Sequence, residues 1–462
     1  MKKILPLSVL LLAGCIRVGP DYTRPDVVAL PAEYPAASAP GEAVIPADWW
    51  LAFSDATLND LVASARKTNA DIRLAAARVH EAEGVLREAR AALWPDVAAG
   101  YNYSRSRVSS NSVPPPPVGT GLRPAHTLVL ASTTYELDFW GKYARASEAA
   151  QANLLTSRLS QDTVALTLAG ATAQTYFALR SLDTQVTVLD LSIKLREDSL
   201  QIARARLEAG LASELDVYQA EGALADALFQ RRDAVRNRAL IERQLAQLTG
   251  RLDLRIAAGE VFDLPLPPVP PAGMPSTLLE RRPDIRAAEQ SLVSANAQIG
   301  VARAALFPTL SLTGSLGTQS AEFGDLLASG ARIFTIGAGL MGPIFDAGRR
   351  QARVEQTEAR REQAVAGYQR AIETGFREVA DALVNVQESS LAEDELRGRL
   401  DAAKKALELS RLRYESGYSP YLEVLDAQRT ANDAAIAFVR NRQARLAFSV
   451  DLMKALGGGW KD

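Results

Sequence analysis

The sequence predicts a mainly α-helical fold with a small β part, written twice along one chain. Three observations predict it. The segment from Arg206 to Ala220 matches the segment from Arg413 to Ala427 at a spacing of 207 residues. Such self-similarity marks a duplicated unit. No Pro occurs from Ala125 to Leu264, or from Ile344 to Ser419, and both spans are rich in Ala, Leu, Glu, Gln and Arg. Those are the good helix formers. Short runs with partial period-two alternation, such as Thr133, Tyr135 and Leu137, stand at matching places in the two halves.

The first residues read as a targeting segment. Lys2 and Lys3 form a positive start, Ile4 to Leu12 form a short apolar run, and Ala13-Gly14-Cys15 follows. A run this short is a secretory signal over residues 1–14, not a membrane span. The string resembles a lipoprotein signal, with Cys15 as the lipidated residue; an ordinary secretory signal is the other reading. Cys15 is the single Cys, so no disulfide or thiolate metal site is available. An acyl anchor there would tether residues 15–56 to a membrane surface.

Repeat 1 spans residues 57–250, a Pro-rich connector 251–275, and repeat 2 residues 276–462. Gly141 pairs with Gly348 and Gly250 with Gly457 at the 207-residue spacing. Upstream, Asp71 matches Asp284 and Leu93-Trp94-Pro95 matches Leu306-Phe307-Pro308 at a spacing of 213. The length change therefore falls between Pro95 and Gly141, where the Pro-rich loop over residues 107–125 lies; insertions gather in surface loops. Each repeat reads as a helix, two strands and two very long helices.

If residues 142–209 form one helix, it runs about 100 Å at 1.5 Å per residue. A helix that long needs a partner along its whole length, which means a coiled coil or a helical tube. Glu393–Arg397 and Glu395–Arg399 are spaced as i, i+4 pairs. Gly210 and Gly417 are placed to end the long helices. Ser213 and Ser419 stand as N-caps of the returning helices, with Pro420 at the first helical position.

The strands are expected at 97–105 and 127–138, then 309–318 and 332–345. About ten residues is the length of a tilted strand crossing a bilayer. Four strands cannot close a barrel, since about eight is the minimum. If these strands span a membrane, several chains must join to make the barrel. No stretch of 18 or more apolar residues follows the signal, so the sequence offers no membrane-spanning helix. Trp94, Trp140, Phe307 and Phe345 stand at strand ends, either as interface aromatics or as packing where helix meets strand.

Function classes narrow by composition. The formal net charge is −2, so no basic footprint for nucleic acid is present. The two His residues, His80 and His126, have no ligand-spaced companions. There is no phosphate loop and no nucleophile motif. The expectation is no enzyme, no cofactor and no metal.

Val18-Gly19-Pro20-Asp21-Tyr22 with Pro25, Trp49-Trp50 with Phe53, Arg282-Pro283-Asp284-Ile285, Gly342-Pro343-Ile344-Phe345-Asp346 with Gly348, and the two tip motifs form a set. With them the sequence resembles the TolC-like outer membrane factor family, in its lipoprotein branch of OprM-, CusC- and NodT-type efflux channels. The resemblance covers the whole mature chain. It implies a homotrimer: a trimeric α-helical barrel continuing into a shared 12-stranded transmembrane β-barrel, four strands per chain. It also implies a periplasmic adaptor (a membrane fusion protein), an inner-membrane pump of the proton-driven RND type, and outer-membrane lipid as partners.

At the periplasmic tips the resemblance places a gate. Leu422, Glu423, Asp426 and Arg429 are its constricting set, and Asp216 and Tyr414 link neighbouring hairpins. Gly210, Leu211, Gly417 and Tyr418 become the adaptor contacts. Two rings of three carboxylates, from Glu423 and Asp426, would repel each other and attract cations. Ser419 departs from relatives that carry Arg there. The residues alone leave a second account open, in which Asp216, Glu423 and Asp426 serve their helix starts. A lipid-anchored periplasmic coiled-coil spacer without a pore is the competing function.

Overall fold

The computed structural model describes residues 17–31, 33–34, 45–107, 109, 122–273 and 275–458. The signal segment, Cys15 and most of the Pro-rich loop lie outside them. The duplication is realised in matching helix lengths. Helix α1 covers Ala56–Thr68 and α2 covers Ala70–Ala91. Strands β1 (Ala98–Arg107) and β2 (Leu122–Leu137) follow. Helix α3 runs Lys142–Glu208 and α4 runs Glu214–Leu248. Repeat 2 supplies α5 (Pro283–Ala304), β3 (Thr309–Ser320), β4 (Arg332–Met341), α6 (Arg349–Glu415) and α7 (Tyr421–Ala455). The long helices α3 and α6 are both 67 residues, and the returning helices α4 and α7 are both 35. Among the described residues no helix is long and apolar enough to cross a membrane.

Contacts divide the chain into two compact units, each drawing on both repeats. The first holds the described residues up to Asp26, Val79–Ser157 and Ala288–Tyr368. Its sheet is an antiparallel meander in the order β1-β2-β3-β4, with every neighbouring pair consecutive in sequence. Asp138 starts α3 by accepting hydrogen bonds from the amides of Tyr143 at 3.0 Å and Ala144 at 2.8 Å. Trp140 stacks on Phe307 with centroids 4.5 Å apart and donates from Nε1 to the Pro308 carbonyl at 2.7 Å. These two aromatics thus pack where helix meets strand, whereas Trp94 and Phe345 are exposed.

The Val18–Tyr22 motif straps onto this unit. Arg24 grips Glu289 with two hydrogen bonds, at 2.7 and 2.8 Å, and the Tyr22 hydroxyl donates to the same carboxylate at 3.1 Å. Buried Arg145 holds Asp21 at 2.6 Å. Gly19 has φ +103°, and a Cβ there would sit 2.5 Å from the Gly300 Cα. Only glycine fits such a backbone and such an approach.

The second unit holds Val27–Arg78, Arg158–Ala287 and the described residues from Gln369 onward. Its core buries Trp49, Phe53, Tyr176, Phe177, Leu245 and Leu446. Each such side chain contributes roughly 1.5–3 kcal/mol by leaving water. The Trp49-Trp50 and Phe53 motif is therefore a plug for this core. The Arg282-Pro283-Asp284 motif is a hub: Arg282 is buried, donates to the Ala455 carbonyl at 3.0 Å, and holds Asp284 and Glu378, each at 2.7 Å.

The strand bounds shift from expectation by a few residues. β2 starts at Leu122, inside the expected loop, because it pairs with β1 as far as Arg107. β4 stops at Met341, where its pairing with Thr309 ends. The start of α7 also differs. Pro420, with ψ 158°, is its N-cap rather than its first helical residue, so Ser419 lies one place outside the cap. Proline lacks the amide, and here the first turn forms from the Pro420 carbonyl, which accepts from Glu423 N at 3.2 Å. Ser213 is the N-cap of α4 as expected, but its side chain makes no capping hydrogen bond.

Candidate functional site: the hairpin tips and the strand sheet

Both tips are built by the same backbone device. Gly210 (φ +72°) accompanies bonds Gly210 N to Leu207 O at 2.9 Å and Leu211 N to Arg206 O at 2.8 Å. Gly417 (φ +82°) repeats them through Tyr414 O and Arg413 O at 2.9 and 2.8 Å. This is the Schellman closure, which satisfies carbonyls that a helix end leaves open. It presents Leu211 and Tyr418 to solvent.

Beneath the tips lies an apolar cluster that draws on α3, α4, α6 and α7: Leu200, Ala203, Val217, Ala220, Tyr414, Tyr421 and Val424. Tyr414 and Tyr421 are buried, with ring centroids 5.4 Å apart. Arg206 reaches across from the first hairpin. Its Nη1 donates to the Tyr414 carbonyl at 2.6 Å and its guanidinium lies 4.8 Å from the Tyr414 ring centroid. Gln428 Nε2 donates to Ser199 Oγ at 2.9 Å in a buried bond between the hairpins. Burial pushes the Tyr421 hydroxyl up to about 12, helped by Tyr414 and Asp216. Burial and the Asp216 charge also raise Tyr414.

Of the expected gate residues, Leu422, Glu423, Asp426 and Arg429 share the exposed face of α7, opposite Tyr421, Val424 and Gln428. Arg429 pairs with Asp426 at 2.7 Å and Arg413 with Glu423 at 3.5 Å. Asp216 is half-buried near Tyr414, and the Tyr414 hydroxyl has no hydrogen-bond partner among the described residues. The tyrosine's carbonyl, held by Arg206, ties one hairpin to the other within the chain together with the Gln428–Ser199 bond. Sequence reading missed Arg206, Tyr421 and Gln428. The one available signal was the pairing of Arg206 with Arg413 in the repeat alignment.

The sheet is two-faced. In register across β3 and β4, Leu310, Leu312 and Leu316 sit level with Leu340, Ala338 and Phe334. Phe334 is 77% and Ile336 86% exposed. Successive residues alternate faces. The opposite face carries Thr309, Ser311 and Thr313, whose hydroxyls bond β4 carbonyls at 3.3–3.4 Å, with Gly337 and Gly339 across from them. One broad face is thus apolar and exposed, and the other is mostly polar or small, with Met341 and Ile333 as its large apolar residues on β4. At the strand ends away from the helices, His126 lies on the apolar face beside Tyr101 and Tyr103, with the Tyr101 hydroxyl 2.8 Å from His126 Nδ1. Phe323, on the β3–β4 connection, packs edge-on against Tyr101 and His126.

A family model described as outer membrane efflux protein matches residues 61–251 and 274–458, one segment in each repeat. The chain belongs to this family. Among its relatives, the outer membrane protein OprJ of Pseudomonas aeruginosa is 35% identical over 99% of this chain and 95% of its own length. The toluene efflux pump outer membrane protein TtgI of Pseudomonas putida is 33% identical over 99% and 98%. The fold matches the solved CmeC outer membrane channel of Campylobacter jejuni with a TM-score of 0.90 at 26% identity, covering 96% of this chain and 95% of that one. As an outer membrane efflux protein, the chain is a transport protein of the outer membrane, the exit duct of a multi-component efflux system. The apolar sheet face is the part of it suited to lipid contact.

Proposed function

We propose that three copies of this chain join edge to edge, β1 of one to β4 of the next, to close one twelve-stranded barrel. Its lumen is the Thr309, Ser311 and Thr313 face, and its outer surface is the Phe334, Ile336 and Leu340 face. The observation that carries this is a four-stranded sheet with an apolar exposed face, a mostly polar opposite face and two edges that are unpaired among the described residues. Backbone groups in lipid must all be paired, and closure by a ring of copies achieves that. Cys15 carries the lipid that tethers the chain. The long helices of the three copies form one helical tube, with both repeats interleaved in it.

The gate is the set of tips. Leu422, Glu423, Asp426 and Arg429 face the axis, and Arg206, Tyr414 and Asp216 hold the closed arrangement. Support comes from groups left without a hydrogen-bond partner among the described residues: the hydroxyls of Tyr414, Ser419 and Tyr421, Nε of Arg206 and Oε1 of Gln428. Each costs about 1–3 kcal/mol while buried, so parting this seam recovers part of its own cost. A periplasmic adaptor that grips Gly210, Leu211, Gly417 and Tyr418 would part it. The chain performs no catalysis, and an inner-membrane pump of RND type supplies the energy and selects the cargo. The test is single-channel recording of the purified protein in planar bilayers. Wild type should be a trimer of low conductance, and Asp426→Ala with Glu423→Ala should raise the conductance. An unchanged conductance removes the two carboxylates from the gate, and a non-conducting monomer removes the channel.

A further inference from the structure

Three arginines extend the apolar face of the sheet at the strand ends away from the helices. Arg105 and Arg107 follow Tyr101 and Tyr103 at period two along β1, so all four share one face. Tyr101 pairs with Leu128, Leu128 with Thr318, and Thr318 with Arg332, a row that crosses the sheet on that same face. Phe334 and Ile336 continue the face down β4. Arg105 and Arg107 therefore sit on that face beyond the rings of Tyr101, Tyr103 and His126 at the β1 edge, and Arg332 sits on the same face at the β4 edge, level with Tyr101. All three are exposed, and none has an ion-pair or hydrogen-bond partner among the described residues.

We propose that Arg105, Arg107 and Arg332 form a binding collar for the phosphates of lipid A, the bis-phosphorylated glucosamine lipid of the outer leaflet. The proposal rests on the barrel reading above, which turns this face toward lipid. A guanidinium fork matches a phosphate with two parallel hydrogen bonds. Aromatic rings beside it sit at the headgroup level, where one end of the ring is apolar and the other wet. The Tyr101 hydroxyl and His126 ring hold each other at 2.8 Å, beside the stretch of β1 that carries Arg105 and Arg107, and joining β4 of one copy to β1 of the next would bring Arg332 to the same edge. Ring closure of three chains would repeat the collar three times around the barrel.

The test uses the full-length protein purified in mild detergent and placed in nanodiscs of phosphatidylcholine doped with bis-phosphorylated lipid A, monophosphoryl lipid A or phosphatidylglycerol. Native mass spectrometry reads both the oligomer and the retained lipid. Wild type should hold bis-phosphorylated lipid A in preference to the other two. The triple variant Arg105→Gln, Arg107→Gln, Arg332→Gln should retain it at least about tenfold less, while its trimer mass and bilayer conductance stay at wild-type values. Replacement of all three by Lys should restore part of the retention, because the charge returns without the fork. Equal retention by wild type and the Gln variant, or equal retention of phosphatidylglycerol and lipid A, overturns the collar and leaves the channel standing. A wild-type monomer without conductance overturns both.

Discussion

The two repeats solve one problem with different side chains. The carbonyl near the end of each returning helix needs a donor. In repeat 1, Asn69 Nδ2 donates to the Leu248 carbonyl at 2.9 Å. At the equivalent place in repeat 2, Arg282 Nη1 donates to the Ala455 carbonyl at 3.0 Å and also holds Asp284 and Glu378. The tips diverge in the same manner. Arg206 of repeat 1 lies over the Tyr414 ring and ties the hairpins together, whereas its equivalent Arg413 is exposed and pairs with Glu423 at 3.5 Å. Duplication kept the backbone and the places that need a partner. It left the identity of each partner free, so one arginine came to cross between the hairpins and its equivalent to pair at the surface.

Substitutions at equivalent positions sharpen or break that contrast. The largest difference is expected at the hub. Arg282→Ala leaves two carboxylates and a carbonyl without their donor and should destabilise the protein by about 3 kcal/mol. Asn69→Ala loses two neutral bonds, the donation to Leu248 and the one its Oδ1 accepts from the Asp71 amide at 2.7 Å, and should cost about 1–2 kcal/mol. Thermal unfolding at one fixed scan rate compares them, and equal losses would show that the hub does no more than its counterpart. At the tips, Arg206→Ala removes a charge-assisted bond and a cation–π contact, about 2 kcal/mol together. It should raise open-channel probability, while Arg413→Ala, an exposed ion-pair partner, should change stability by less than about 1 kcal/mol. If Arg413→Ala opens the channel as readily, the division of labour between the tips is wrong.

Gly210→Ala and Gly417→Ala should each cost about 1–2 kcal/mol for placing a Cβ in the left-handed region. The two losses should be equal, because here the repeats are the same. The smallest effect concerns Tyr421. Its hydroxyl titrates at about 12 in the folded chain, above its usual 10.0, because burial disfavours the phenolate. A raised value means the contribution to stability is complete below pH 10 and is lost as pH rises from there through about 12. Tip loosening in that window, followed by tyrosinate absorbance, should be reduced in Tyr421→Phe. At neutral pH that variant should be neutral or slightly stabilising, since it removes a buried hydroxyl that has no partner among the described residues.

Much of the fold was legible in the chain. Absence of Pro and placement of Gly marked the long helices nearly to the residue, and the 207-residue spacing anticipated equal helix lengths. Strand centres were legible from alternation, but their ends were not, because an end is set by how far the neighbouring strand extends. At the tips, the motifs located Gly210, Gly417 and the charged face of α7. Nothing local pointed to Arg206 over Tyr414, to Gln428 on Ser199, or to His126 among Tyr101, Tyr103 and Phe323, since those partners are distant in sequence.

Helix length, turn position and the two-faced character of the strands follow from short-range rules: backbone sterics, the missing amide of Pro, the missing Cβ of Gly, and side-chain period. Those rules act within a few residues, so they are written wherever the residues are. Which arginine becomes a buried hub and which stays in solvent, and which aromatics stack and which face outward, came from packing alone. Burial and hydrogen-bond satisfaction depend on what arrives from elsewhere in the chain, and two copies of one pattern met different neighbours.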